Sequence, residues 1–495
     1  MRARGAGVLR PSPPAGDRVT ALLIYDTLER REREFVPVTA GTVRLYVCGM
    51  TVQDRPHIGH FLPFLTADIV RRYLEHRGFD VIHVQNFTDV DDKIIAKALE
   101  QGTSPEAVAE ANIAKCFEAM RAMNLLPATH YPRATEHIAE ILALIQKLES
   151  TGRAYAAGGD VYFRVRRFES YGRLSGRDVD DMLSGVRIEV GEQKEDPLDF
   201  ALWKAAKPGE PSWPSPWGPG RPGWHIECSA MAMKYLGETL DMHGGGRDLI
   251  FPHHENERAQ SEAVTGRTFV NFWMHNGLLY TGGQKMSKSL HNFFLIEDIL
   301  QKHSADEVRF FLLSTHFRSQ AEFSERRLAE TSAAFQRLLD TIVRAREAHA
   351  TMDPAPMVSP AGQALRDCLG RVRAEFFEAM DRDFNTAAAL GKLFELTRET
   401  NRFLDEPARA ADRAVLAEVL AGFESMLQLL GFVPAGLPQP GADWIPESVR
   451  SLAAERQAAR TQADWARADV LRQRILELGF VVEDRADGPR LKPRT

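Results

Sequence analysis

The stretch VRLYVCGMTVQDRPHIGHFLPFLTADIVRRYLEHRGFDVIHVQN, residues 43–86, determines the fold class of this chain. Apolar runs at 43–48 and 81–86 predict two buried strands, and the pattern over 58–76 predicts a helix between them. A strand, a helix and a second strand in this order predict an α/β fold with a Rossmann-like parallel sheet.

The α/β pattern continues beyond this unit. We expect helices at about 91–101, 104–123 and 253–265, and strands at 240–243 and 271–275. Ligands of parallel sheets bind beyond the carboxyl ends of the strands. Cys48 and residues 86–89 lie at two such ends, so they are candidate site residues.

Changes in pattern and composition divide the chain into seven predicted parts. These are a disordered N-terminal extension (1–21), the first half of the α/β domain (22–150), a connective insertion (151–224), the second half of the domain (225–303), an all-α bundle (304–432), a linker (433–446) and a small C-terminal domain (447–495). Within the insertion, residues 208–223 are so rich in Pro and Gly that a loop is expected there rather than a strand.

Composition narrows the class of protein. The chain has 495 residues, a formal net charge of −6 and four cysteines, which excludes a basic nucleic-acid coat and a disulfide scaffold. The few cysteines indicate a reducing compartment, and we predict the cytoplasm. No apolar run is long enough to span a bilayer, so no membrane partner is expected. The Arg-, Pro- and Gly-rich start of the chain leaves an organelle-targeting alternative open.

A scattered set of residues could hold a metal. His253 and Glu257 lie four positions apart on a predicted helix and therefore share a face. Cys48 and Cys228 could add two thiolates, giving a site of the Cys₂HisGlu type. The alternative is a surface His–Glu pair with two inert buried cysteines, because the spacing contains no C-x-x-C motif.

Three other segments could bind a nucleotide. His57, Gly59 and His60 lie where the first helix begins, and free N–H groups at a helix N-terminus attract phosphate. The Gly-led loop 282–289 carries Lys285 and Lys288, which could neutralise a departing polyphosphate. The glycine turn at a strand end contributes Gly244, Gly246 and Asp248. An ordinary tight turn and a solvated basic loop are the alternatives for the last two segments.

Two motifs in this order resemble the class I aminoacyl-tRNA synthetases: HIGH at 57–60 and KMSKS at 285–289. The subclass follows from longer matches that resemble the cysteinyl-tRNA synthetase family, namely YVCG (46–49), NFTDVDDK (86–93), GWHIECSAM (223–231), FPHHENE (251–257), DFNT (383–386) and DWARAD (464–469). The resemblance runs from about Leu22 to the C-terminus.

The resemblance implies an ATP-dependent, AMP-forming cysteine–tRNA ligase. Such an enzyme forms cysteinyl-adenylate and pyrophosphate from L-cysteine and ATP with Mg²⁺, and then charges tRNA-Cys. It implies one zinc ion on Cys48, Cys228, His253 and Glu257, and a substrate pocket with Gly49, Thr88, Trp224 and His225. His57, His60, Lys285 and Lys288 become the catalytic residues, with ATP bound by His57, Gly59, His60, Gly244, Gly246, Asp248 and Lys288.

The same resemblance assigns roles to the C-terminal parts. Residues 304–432 would contact the acceptor and anticodon stems, and 447–495 would bind the anticodon. A monomer is expected, as is usual in the family. Two positions differ from the family pattern: Phe61-Leu62 after the first motif and His291 after the second, both beside nucleotide-binding elements.

Two other functions stay open at the level of sequence. A related ligase joins cysteine to an amino-sugar inositol and shares both motifs, but it lacks a long C-terminal tRNA-binding part. A catalytically inactive RNA-binding paralogue is the other alternative. A tRNA-charging assay with cysteine distinguishes all three functions.

Overall fold

The computed structural model describes residues 21–179, 193–285, 293–352, 358–406, 412–433, 447–462, 464–477, 480–485 and 488–493. The predicted extension up to residue 20 and the linker from 434 to 446 lie outside these ranges. Within the described ranges, every helix is too short or too polar to cross a membrane.

The first half of the α/β domain contains β1 (Leu23–Asp26), β2 (Arg31–Glu34), β3 (Thr42–Val47), α1 (Ile58–His76), β4 (Asp80–Gln85), α2 (Asp92–Gln101), α3 (Pro105–Ala122) and α4 (Ile138–Ser150). The predicted strands and helices between residues 42 and 123 are confirmed, whereas β1, β2 and α4 were not predicted. Gly78, at φ +87°, follows the end of α1 in a conformation that favours glycine. Asp91 caps α2 by accepting a hydrogen bond from the backbone N–H of Lys93.

The insertion forms its own antiparallel sheet. Its strands are β5 (Ala154–Ala157), β6 (Asp160–Phe163), β7 (Phe200–Ala205) and β8 (Gly220–Pro222), which pair in this order. The expectation of a strand-free loop over 208–223 is therefore wrong at its end. Proline is tolerated in β8 because β8 lies at the edge of the sheet.

The second half completes the central sheet. It contains α5 (Trp224–Leu236), β9 (Leu240–Gly246), α6 (Glu255–Thr265), β10 (Val270–Asn276), β11 (Leu279–Thr281), β12 (Gln284–Lys285) and α7 (Ile296–Leu300). The sheet order is β10-β9-β3-β4, with all neighbours parallel. The predicted parallel sheet is confirmed. Cys48, Asn86 and the end of β9 lie at its carboxyl edge.

Helices dominate the rest of the described chain. After α8 (Ala305–Leu313) and the short strand β13 (Ala321–Glu322) come α9 (Glu325–Thr351), α10 (Pro360–Asp381), α11 (Thr386–Asp405), α12 (Arg413–Leu429), α13 (Glu447–Thr461), α14 (Trp465–Glu477), β14 (Phe480–Arg485) and β15 (Gly488–Pro493). The four long helices α9 to α12 lie in the region predicted to be all-α. The strand β15, which pairs with β14, was not expected from the sequence.

A buried arginine joins the α/β domain to the helical region. Arg309, on α8, is fully buried and pairs with Asp68 of α1 at 2.8 Å. It also donates to the carbonyl groups of Met123, Asn124 and Leu430. Because the side chain has a charged partner and several backbone acceptors, the cost of burying its charge is offset at this junction.

Candidate functional site

The ends of β3 and β4 meet through Gly49. The backbone N–H of Gly49 donates to Asn86 Oδ1 at 2.9 Å. A Cβ atom at this position would lie 1.6 Å from the backbone oxygen of Asn86, so the contact requires glycine. The close approach holds Cys48, the preceding residue, at the centre of the carboxyl edge of the sheet.

Two helices bring the other candidate ligands to Cys48. Cys228 lies in the second turn of α5 and is buried. Residues 250–254 form a kinked turn that leads into α6, with Phe251 in an extended conformation (φ −137°, ψ 131°) and a cis peptide bond between Phe251 and Pro252. The α-helix therefore begins at Glu255 rather than at His253, but His253 and Glu257 still share a face.

The four predicted ligand residues converge. Their ligand atoms all lie within 4.8 Å of one another, and all four residues are buried. Cys48 Sγ is 3.9 Å from Cys228 Sγ and 3.6 Å from Glu257 Oε1. His253 Nε2 is 3.0 Å from Glu257 Oε1. Two thiols, an imidazole and a carboxylate in one buried cluster form a donor set suited to a divalent metal such as zinc.

The charges of the cluster perturb one another. A hydrogen bond from Cys48 is the main reason that the pKa of Cys228 falls to about 6. Burial opposes a charge on His253, but Glu257 and Cys228 outweigh it and raise the pKa of His253 to about 10. Burial raises the pKa of Cys48, and the neighbouring Cys228 raises it further. The pKa values of the two thiols thus shift in opposite directions, so Cys228 loses its proton more readily than Cys48.

Three further histidines adjoin the cluster, and the sequence did not predict them as part of it. His243 Nε2 donates to Glu257 Oε2 at 3.0 Å, and His254 Nε2 lies 3.4 Å from Cys48 Sγ. His254 contacts His275 at 2.8 Å. Strand alternation is the signal that could have found His243, because His243 pairs in register with Tyr46 and therefore shares its face with Cys48.

Cys48, His243, His254 and Glu257 form a second group whose ligand atoms also lie within 4.8 Å of one another. Burial lowers the pKa of His254, and the neighbouring His243 adds to this effect. Glu257 belongs to both groups.

The predicted substrate residues border the cluster. The Trp224 ring, 36% exposed, stacks on the His253 ring at 4.4 Å, and His225 Nδ1 is 2.9 Å from His253 Nδ1. Burial lowers the pKa of His225. Thr88, 2% exposed, donates its hydroxyl hydrogen to Glu227 Oε2 at 3.1 Å. Glu227 was not predicted from the sequence.

The first nucleotide motif lies at the N-terminus of α1. His57 is the N-cap residue, and its backbone N–H donates to His60 Nδ1 at 3.3 Å. The two rings stack with their centroids 3.6 Å apart. A Cβ atom at Gly59 would lie 2.9 Å from the His57 ring, so glycine leaves room for this packing.

The second motif lies largely outside the described residues. Lys285 ends β12, where its backbone pairs with Tyr280, while Lys288 and His291 fall in the range 286–292. The chain that follows returns to the first motif: Ile58 N donates to Phe294 O at 3.0 Å, and Ile296 N donates to Pro56 O at 3.2 Å.

The glycine turn forms the end of β9. Gly244 pairs with Val47 of β3, and its carbonyl oxygen accepts from the backbone N–H of Cys48 at 3.2 Å. A Cβ atom at Gly246 would lie 2.4 Å from Asp248 Oδ1. The turn thus lies beside the four candidate metal ligands, on the same edge of the sheet.

The unusual pair Phe61-Leu62 packs inside the protein. Phe61 is fully buried and Leu62 is 6% exposed, and the Phe61 ring contacts that of Phe64 edge-on. This departure from the family pattern therefore contributes to the core beneath the first motif.

Comparison with known proteins identifies the class of this fold and site. A family model for the class I (C) tRNA synthetase catalytic domain matches residues 34–333, and a DALR domain model matches 375–434. Methionyl-tRNA synthetase of Mycobacterium tuberculosis, solved with methionyl-adenylate, shares the fold with a TM-score of 0.63 at 14% identity, over 79% of this chain and 91% of that one. The protein is a class I aminoacyl-tRNA synthetase.

More similar relatives define the family. The cysteine–tRNA ligase of Heliobacterium modesticaldum is 47% identical over 478 residues, covering 95% of this chain and 99% of that protein. That of Thermococcus onnurineus is 44% identical over 468 residues, covering 94% and 98%. A model of the cysteinyl-tRNA ligase anticodon-binding domain matches residues 443–489. The chain belongs to the cysteinyl-tRNA synthetase family.

Membership of this family gives the reaction. The enzyme activates L-cysteine with ATP, releases pyrophosphate, and transfers the cysteinyl group to the 3′ end of tRNA. The C-terminal match also favours this function over the amino-sugar ligase, which lacks such a part.

Proposed function

We propose that Cys48, Cys228, His253 and Glu257 hold one zinc ion that recognises the cysteine substrate. The observation that supports this most strongly is the convergence of these four buried side chains within 4.8 Å. They come from three separate parts of the chain, and Cys48 and Cys228 are 180 residues apart. Burying several ionisable groups together is costly unless they are paired or bind a metal.

A zinc ion at this site would supply a preference for the substrate thiolate over a hydroxyl group. A pocket of protein atoms alone separates cysteine from serine poorly, because the two differ in one atom. The protein's own residues would define the rest of the pocket. Trp224 would form a wall over His253, Thr88 and Gly49 would bind the polar end of the substrate, and His225 would support His253.

The nucleotide would lie across the same edge of the sheet. We assign ATP binding to His57, Gly59 and His60 at the N-terminus of α1, and to Gly244, Gly246 and Asp248 beyond β9. The cysteine carboxylate would attack the α-phosphate in line and expel pyrophosphate, which carries Mg²⁺. Such a step needs positioning and charge neutralisation more than a general base. Lys285 and Lys288 would neutralise the leaving pyrophosphate.

The predicted roles of the C-terminal parts stay within this proposal. Residues 304–432 would contact the acceptor and anticodon stems of tRNA-Cys, and residues 447–495 would bind its anticodon. We also propose that the enzyme acts as a monomer in the cytoplasm.

The test combines metal analysis with two assays. The purified enzyme should contain one zinc ion per chain, and cysteine-dependent pyrophosphate exchange and charging of tRNA-Cys should both be measurable. Removing zinc with a chelator should abolish cysteine binding, measured by calorimetry, while ATP binding remains. Unchanged cysteine affinity without zinc would refute the proposed role of the metal.

A further inference from the structure

Thr88 and Glu227 form a buried hydrogen-bonded pair at the edge of the proposed cysteine pocket. Thr88 follows the end of β4, and Glu227 lies in the first turn of α5. The distance from Thr88 Oγ1 to Glu227 Oε2 is 3.1 Å, and the two side chains are 2% and 0% exposed. A hydrogen bond so far from water has a fixed direction, because competing water molecules cannot reorient it.

The backbone of Thr88 is held as firmly as its side chain. Its N–H donates to Met50 O at 3.3 Å, and its carbonyl oxygen accepts from Val52 N at 3.2 Å. Residues 50–52 follow directly on Cys48 and Gly49, so one short loop connects the Thr88–Glu227 pair to the proposed zinc site. With the backbone fixed, the Thr88 hydroxyl can move only by rotation of its side chain, and the hydrogen bond to Glu227 restrains that rotation.

The direction of this bond determines the chemistry that Thr88 can offer. A threonine hydroxyl has one hydrogen to donate and two lone pairs that accept. Because the hydrogen is directed at Glu227, a ligand that meets Thr88 Oγ1 meets lone pairs. Such an oxygen attracts the ammonium group of an amino acid and repels its carboxylate.

We propose that Glu227 is a positioning residue that orients the Thr88 hydroxyl as an acceptor for the ammonium group of the substrate. The inference rests on the proposed function of Thr88 as a substrate-binding residue, and it extends that function to Glu227, which was not predicted as a site residue. Glu227 acts through Thr88 and does not touch the reacting atoms. Its second oxygen, Oε1, is buried without a hydrogen-bond partner among the described residues, so the Thr88 contact accounts for the polar bonding of this carboxyl group.

The test uses substrate fragments with the full-length, zinc-loaded enzyme. Cysteamine has the thiol and the ammonium group but no carboxylate, whereas 3-mercaptopropionate has the thiol and the carboxylate but no ammonium group. Glu227→Met removes the acceptor while keeping the length of the side chain. We expect it to weaken inhibition by cysteamine, and to raise the KM for cysteine, by about tenfold. Inhibition by 3-mercaptopropionate should stay within about twofold of the wild type.

Two further variants separate positioning from a structural role. Glu227→Gln retains an acceptor oxygen and should recover most of the affinity for cysteamine. In a Thr88→Val background, which removes the hydroxyl group, adding Glu227→Met should have no further effect on the KM for cysteine. Zinc content and thermal unfolding of each variant show whether the metal site and the fold are retained.

The outcomes distinguish this inference from the proposed function. If Thr88→Val leaves the KM unchanged, the proposed role of Thr88 fails, and the inference fails with it. If Thr88→Val raises the KM but Glu227→Met does not, or if the two effects add, only the inference is overturned. Loss of zinc from Glu227→Met, or equal weakening of both fragments, would also overturn it, because either result indicates a structural role.

Discussion

The cluster of candidate metal ligands and the residues proposed to bind the nucleotide share one edge of the central sheet, yet they are built differently. The cluster consists of buried side chains that contact one another directly, such as Cys48 and Glu257 at 3.6 Å. The nucleotide side consists mainly of a helix N-terminus and glycine turns, where backbone groups and open space matter more than side chains. Under the proposed function, selection of the amino acid would depend on fixed donor atoms, whereas the nucleotide would be held by local backbone structure.

The largest effect is expected when one of the proposed zinc ligands is removed. Cys228→Ala should lose zinc and reduce kcat/KM for cysteine by more than about 1000-fold, since even an indirect partner of a metal ligand often contributes about 10- to 100-fold. Cys368→Ala is the matched control, because Cys368 is a buried cysteine on α10 outside the cluster. Zinc analysis and pyrophosphate exchange measure the effect. Full activity in Cys228→Ala would contradict the proposed ligand set.

The next effect concerns charge on the nucleotide side. Lys288→Ala should lower the maximal rate of pyrophosphate exchange by about 100- to 1000-fold, because it removes a charge that would stabilise the leaving group. Cysteine binding, measured by calorimetry, should be unchanged. Lys392→Ala, which removes an ion-paired surface lysine on α11, is the control. A wild-type exchange rate in Lys288→Ala would refute the role of this residue.

A smaller effect tests the role of open space beyond β9. A Cβ atom at Gly244 would meet Val47 Cγ2 at 3.6 Å and Met274 O at 3.9 Å, which are ordinary contacts, so the fold tolerates alanine there. We expect Gly244→Ala to raise the KM for ATP by about tenfold, equivalent to about 1.4 kcal/mol. Gly370→Ala, at a helix position with nothing near, should leave the KM unchanged. Equal KM values in the two variants would argue against adenosine binding at Gly244.

The smallest effect on activity concerns a histidine outside both sites. His83 of β4 is 4% exposed and its ring has no hydrogen-bond partner among the described residues. Burial, aided by the charge of Arg71, lowers the pKa of His83 to about 3, whereas acidic neighbours raise that of the equally buried His253 to about 10. His83 therefore stays neutral in the folded protein while it takes up a proton in the unfolded chain.

The direction of the pH effect follows. Above pH 6.5, His83 is neutral in both states and does not change the free energy of unfolding. As the pH falls from about 6.5 to 3, only the unfolded chain takes up a proton, so the free energy of unfolding decreases by up to about 1.4 kcal/mol per pH unit. His83→Phe should reduce this acid slope of the unfolding free energy, measured by denaturant titration, and leave activity at neutral pH unchanged. An unaltered slope would show that His83 is protonated in the fold.

Much of the fold could be predicted from the sequence because the patterns are local. The helix Ile58–His76 and the long helices after 304 follow from periodic apolar residues and clear ends. The strands β8 and β15 were missed because each is stabilised by a neighbouring strand rather than by its own sequence.

The candidate site, like the fold, could be predicted only in part from the sequence. Cys48, Cys228, His253 and Glu257 could be named as candidate ligands from their residue types and spacing, but only the resemblance to a family favoured a metal site over a surface His–Glu pair. His243, His254 and His275 were not assigned to the cluster from the sequence, since their contact with it depends on the order β10-β9-β3-β4, which brings strands from two halves of the chain together. Glu227 carries no local signal, because its partner Thr88 is 139 residues away.

The contacts of Arg309 have a consequence for synthesis of the chain. Asp68, almost fully buried, acquires this partner only after 241 further residues have been made, and Arg309 in turn needs the carbonyl group of Leu430, another 121 residues on. A growing chain that ends before α12 therefore has the arginine without one of its acceptors, even when every strand of the central sheet is present. The α/β domain of this enzyme therefore reaches its full stability only when the helical region has been translated. Premature termination before residue 430 should leave a product with a destabilised α/β domain.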